Sequence, residues 1–152
     1  MKFFNQVLAI VALAATCSAV TDLREGVLRG TERGGPHGDE YDDYERVDPG
    51  QIVKFIRIRS ADRIDYVGLD IDITSVEVHW GKYYRKTRVM YVKFTTNKNQ
   101  TLEGGTPQRD TKKIVTEEAP IGHQLGGFFG HAGHELDSMG CIWTSIEPVE
   151  EI

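Results

Sequence analysis

The chain has 152 residues, 39% of them hydrophobic and 27% charged, with 23 acidic against 18 basic side chains and a formal net charge of −5. That length and balance suit one domain with a modest core and exclude a collagen-like or disordered chain. The acidic balance argues against nucleic acid or an anionic lipid surface as partner, so the basic cluster Lys82, Arg85, Lys86 and Arg88 reads as a solvated loop rather than a phosphate track.

In chain order, Lys2, an apolar run over residues 7–15 and the small residues Cys17, Ser18 and Ala19 predict a secretory signal peptide, residues 1–19, cut after Ala19. The run is shorter than the ~18 apolar residues a membrane span needs, so no membrane insertion is expected. Cleavage would remove Cys17 and leave Cys141, so no internal disulfide is expected, and Cys141 among apolar neighbours reads as a buried, inert thiol. Residues 20–32 read as a flexible N-terminal arm. Within them Gly26, Val27, Leu28 and Arg29 are similar to the Arg-x-Leu-Arg motif of secreted pathogen effectors, with Gly26 in place of its first arginine.

The domain is expected over residues 33–146. A turn cluster (Gly34, Gly35, Pro36, His37, Gly38) precedes the run Tyr41, Asp42, Asp43, Tyr44 and a second turn at Asp48, Pro49, Gly50. Period-two alternation then predicts strands over residues 52–59, 64–69, 73–80 and 89–96. In the third of these, Ile73, Ser75, Glu77 and His79 oppose Thr74, Val76, Val78 and Trp80, the pattern of a half-buried strand. Residues 81–87 read as a basic loop bearing tyrosines, 97–100 and 104–110 as turns, 112–118 as another strand and 147–152 as an acidic tail. Asn99, Gln100 and Thr101 form an N-glycosylation sequon in an expected exposed turn, which makes Asn99 a candidate modification site on an exported chain. No helical period of 3.6 is sustained, so the fold class is all-β, with short strands and frequent turns as in a sandwich, barrel or prism.

Catalytic chemistry finds little support. His131, His134 and Glu135 give H-x-x-H-E, whereas zinc hydrolases place H-E-x-x-H on a helix so that both rings share a face, and the glycines here forbid a helix. The five histidines, His37 and His79 included, read as ordinary side chains and no metal is expected. No carboxylate pair, nucleophile elbow or phosphate loop stands out. The most distinctive stretch is LGGFFGHAGHELDSMGCIW, residues 125–143, where two short hydrophobic runs flank a glycine-rich corner holding one carboxylate, Asp137. A tight backbone turn beside one acceptor suits a polyol better than reaction chemistry.

Four motifs in order resemble the jacalin-related lectins of mannose/glucose type. Gly133, His134, Glu135, Leu136 and Asp137 are similar to the family's G-x-x-x-D loop, and Gly34 to Asp43 to its opening glycine loop. ITSVEVHWGKYY, ending at Tyr84, looks like its central strand and recognition loop, and VKFTTNK, ending at Lys98, like its Phe-x-Thr-Asn strand end. The resemblance covers residues 33–144. It implies a β-prism I of three four-stranded Greek-key sheets, no catalysis and no cofactor, and one monosaccharide site where three loops meet. Carried over, Asp137 accepts from sugar hydroxyls, the amides of His134 and Glu135 after Gly133 donate, and the amide of Gly38 donates from the opening loop. Tyr83 and Tyr84 would pack against a second sugar ring. Charge-assisted bonds of this kind contribute roughly 1.5–3 kcal/mol each, so one shallow site would bind weakly and depend on the multivalency that a homo-oligomer supplies. Galactose-type members use a free amino terminus beside the opening loop; this chain continues upstream of it.

One departure stands out. The family has about two further strands between the positions of residues 64–69 and 73–80, where only Asp70, Ile71 and Asp72 intervene here, so one sheet edge is expected to lack its partner. A second sugar site that some members build there is expected to be absent, and Asp65 to be structural. The expected activity is binding of mannose- or glucose-containing glycans; the alternative is a secreted protein-interaction or effector module that kept the scaffold and lost sugar binding.

Overall fold

A computed structural model describes residues 21–51, 57–68 and 73–149. The leader, residues 52–56 of the first expected strand, the 70–72 link and the last three residues of the tail lie outside the described residues.

The elements are β1 (Thr21–Arg24), β2 (Val27–Arg29), β3 (Arg33–Gly34), β4 (Asp39–Asp42), a 3-10 turn at Tyr44–Arg46, β5 (Arg57–Ser60), β6 (Ile64–Gly68), β7 (Ile73–Tyr83), β8 (Lys86–Thr96), β9 (Thr101–Gly105), a second 3-10 turn at Thr111–Lys113, β10 (Ile114–Glu118), β11 (His123–Ala132) and β12 (Leu136–Ser145). They form three antiparallel sheets. One has six strands in the order β1-β2-β12-β11-β4, with β3 also on β12; the second runs β10-β7-β8-β9; the third, among the described residues, is the β5–β6 hairpin. This is a β-prism whose third sheet lacks strands, as the short link between residues 69 and 73 led one to expect.

The inner faces meet in a core of Ile64, Ile73, Val76, Val78, Val89, Val92, Phe94, Leu125, Phe128, Leu136, Met139, Cys141 and Trp143. Trp143 is fully enclosed, and its indole N–H donates to Glu117 on β10 at 2.6 Å, tying the six-stranded sheet to the four-stranded one. An indole can be buried cheaply only if that donor finds a partner. Cys141 is buried, and burial pushes its thiol well above the ordinary range, in line with an inert side chain.

Two expectations change. The stretch read as an arm supplies β1 and β2: Val27 is fully buried with Val47 and Ile142, and Val27–Arg29 pairs with Ile142–Thr144 of β12. Its charged sequence hides a strand too short to display a period. Residues 81–87 are not a loop either. Strands β7 and β8 run on to Tyr83 and Lys86, leaving a two-residue turn, Tyr84–Arg85. The tail is anchored as far as it is described, since Pro148 and Val149 lie against Gly50 and Gly26.

Candidate functional site

The β11–β12 hairpin makes the corner. Ala132 pairs with Leu136, and Gly133, His134 and Glu135 turn between them, closed by the Gly133 N–H donating to the Glu135 carbonyl at 2.9 Å. The opening loop lies against this turn. The Gly35 N–H donates to the Asp137 carbonyl at 2.8 Å, and Gly38, at φ +77°, packs so close that a Cβ there would sit 2.7 Å from the Ala132 carbonyl and 2.8 Å from Asp137 Oδ2. Only glycine fits that backbone and that space. The structure therefore brings Gly38, Gly133, His134, Glu135 and Asp137 together. His134 is exposed, Glu135 half-buried and Asp137 buried.

The Asp137 carboxylate is not free. The Arg88 guanidinium, from β8, donates through Nη1 to Asp137 Oδ1 and through Nε to Glu135 Oε2. Glu135 also receives Arg63 Nη2 at 2.7 Å, and Arg63 lies over the Tyr83 ring at 4.7 Å. Two arginines and two carboxylates thus cross-link three segments: the β5–β6 turn, the β7–β8 hairpin and the corner. The two acids respond differently to the same guanidinium. The hydrogen bond from Arg88 holds Glu135 below its ordinary value, whereas burial raises Asp137 above its own in spite of Arg88. The deeper carboxylate loses more hydration than one ion pair returns.

Tyr83 and Tyr84 part company. Tyr83 packs at the base under Arg63, with Tyr84 edge-on at 4.6 Å, while Tyr84 itself is 85% exposed at the tip. Tyr84 and Arg85 have φ of 44° and 73°. Two successive left-handed residues are the signature of the tight hairpin turn normally built from Asn-Gly, and side chains there cost roughly 1–2 kcal/mol each. Asn99, the sequon residue, sits exposed at φ 57° in the β8–β9 turn, its N–H donating to the Thr96 carbonyl at 2.9 Å.

Other chemistry does not assemble. Among the described residues no three His, Cys, Asp or Glu side chains converge as a metal site would require. His131, Ser138 and Glu32 do meet, but the His131 Nδ1 faces both Glu32 (2.9 Å) and Ser138 Oγ (3.3 Å), and the buried Ser138 hydroxyl donates to Glu32. A nucleophile relay needs the two opposite ring nitrogens of the histidine, one on the carboxylate and the other on the nucleophile. Asp65, set 3.9 Å from Arg63, lines a cleft of about 440 Å³ with Tyr41, Val67, Phe128 and Leu136, beside the shortened third sheet.

Sequence reasoning missed Arg63 and Arg88. Arg88 was grouped with its basic neighbours, yet it is buried while Lys82, Arg85 and Lys86 are exposed. The register of β7 on β8 slips between His79 and Trp80, so the alternation legible over residues 89–96 does not carry back to it.

A profile of the jacalin-like lectin domain matches residues 70–142. The Malaysian banana lectin is 20% identical with a TM-score of 0.63, covering 79% of this chain and 99% of its own. Frutapin from Artocarpus incisa is 18% identical with a TM-score of 0.64, covering 80% and 99%, and artocarpin complexed with Me-α-mannose is 15% identical with a TM-score of 0.63, covering 80% and 99%. The chain carries the fold of these lectins. A curated relative, the secreted RxLR effector protein 19 of Plasmopara viticola, is 29% identical over 174 residues, covering 96% of each chain.

Proposed function

We propose that this chain is a secreted, non-catalytic recognition module of effector type, which uses the jacalin-like prism to bind a protein and has closed its sugar corner. The observation that carries this reading is the Arg88 guanidinium seated on Asp137 and Glu135, where the family's sugar would need a free acceptor. A sugar hydroxyl is a neutral donor; displacing a charged donor from a buried carboxylate leaves two ions to be rehydrated or re-paired, which one or two neutral bonds do not offset. The effector relative, alike over nearly its whole length, supports the same reading and the expectation of export.

The second reading, a mannose- or glucose-binding lectin, rests on the donor half of the corner. Gly38 is held against Asp137, and the His134 and Glu135 amides have no backbone partner among the described residues. On an array of mannose- and glucose-bearing glycans, the leading reading expects no retention of the wild-type chain; retention abolished by Asp137→Ala would establish the lectin instead. The exposed turn around Asn99 is a proposed N-glycosylation site in either case.

A further inference from the structure

We propose that the tip of the β7–β8 hairpin is a docking finger for an acidic patch on a partner protein; this deepens, and rests on, the reading that the domain works by protein recognition. The first support is backbone strain. A turn that Asn-Gly would form without cost is made by Tyr84 and Arg85, both left-handed, and strain of this kind persists where the side chains are needed. The second is presentation: Tyr84 is 85% exposed and rests edge-on against Tyr83, which is fixed under Arg63, itself bridged to Glu135. An exposed aromatic on a rigid base loses little freedom on binding.

The third support is charge segregation. The chain carries a net charge of −5, yet Lys82, Arg85 and Lys86, close to Tyr84 in the hairpin, are exposed and have no ion-pair partner among the described residues, while Arg88 of the same run is paired inward. Tyrosine with arginine is the chemistry of binding hot spots, and a basic tip on an acidic body is steered toward a local acidic patch. A polyanion fits less well, because it needs a long basic track and would meet repulsion from the rest of the chain. A second copy is the other acidic surface available, through the exposed Asp39 and Glu40 of edge strand β4.

The test uses the full secreted chain, a displayed library of random linear peptides and the double variant Tyr84→Asn, Arg85→Gly. The expected result is enrichment of peptides pairing Asp or Glu clusters with an apolar residue, and about a tenfold or greater loss of affinity for a selected peptide in the variant. The variant should meanwhile melt a few degrees higher because its turn is relaxed. Selection without acidic bias, affinity unchanged in the variant, or a lower melting temperature would overturn the proposal. So would retention on heparin in place of acidic peptides, or a concentration-dependent dimer that the variant abolishes. Glycan binding at the corner would sink the underlying reading; absence of both glycan and acidic-peptide binding would sink this inference alone.

Discussion

Two neighbouring hairpin ends carry opposite arrangements of similar side chains. At the β11–β12 corner, Glu135 and Asp137 are neutralised from within by Arg63 and Arg88, and Asp137 is 2% exposed. At the β7–β8 tip, a few residues from Arg88, Lys82, Tyr84, Arg85 and Lys86 are exposed, and Tyr84 and Arg85 sit on left-handed backbone that disfavours side chains. A buried charge that is satisfied internally contributes to structure, whereas an exposed charge held on a strained turn has no structural return. On the reading proposed above, the tip carries recognition, while the corner cross-links segments of the fold.

The largest effect should follow from breaking the corner. Arg88→Ala leaves Asp137 buried without its partner and should cost about 3–5 kcal/mol in urea unfolding, with an unchanged dependence on denaturant. Because burial has already raised the Asp137 pKa, the loss should shrink in acid, where Asp137 takes up a proton. A substitution at the tip should act in the opposite sense: relaxing Tyr84 and Arg85 should stabilise by roughly 1–2 kcal/mol.

The smallest effect separates the two acids. Glu135 has its folded pKa below the ordinary value of 4.5, so the unfolded chain binds the proton first as pH falls. Its stabilisation is present above about pH 4.5 and is lost as pH falls through the lower folded value. Asp137 has the opposite sign: its raised pKa means that its ionisation, as pH rises through the folded value, weakens the fold. Glu135→Gln should therefore flatten the acid limb of the stability–pH curve by under about 1 kcal/mol, since the side chain is partly solvated.

Much of this fold was legible where alternation was undisturbed. Residues 64–68, 73–80 and 89–96 are strands because Ile64, Val76, Val78, Val92 and Phe94 recur at period two and reach the core. The corner was legible as well, because Gly133 and Asp137 sit close together in sequence and Gly38 reaches them through a motif. Three features were hidden for separate reasons. Strands β1 and β2 are too short for a period, and β2 owes its place to Val27 packing on Val47 and Ile142. The Tyr84–Arg85 turn has none of the residues that mark such turns. The pairing of Arg88 with Asp137 joins positions far apart in sequence across a register slip, which no local pattern encodes.

The closed corner can be tested by titrating the isotope-labelled wild-type chain with methyl α-mannoside and following the amide resonances of Gly38, His134, Glu135 and Asp137. With Arg88 on Asp137, none of these four should show a saturable shift. Saturable shifts at all four, lost in Asp137→Ala, would contradict the account and restore the corner as a sugar site.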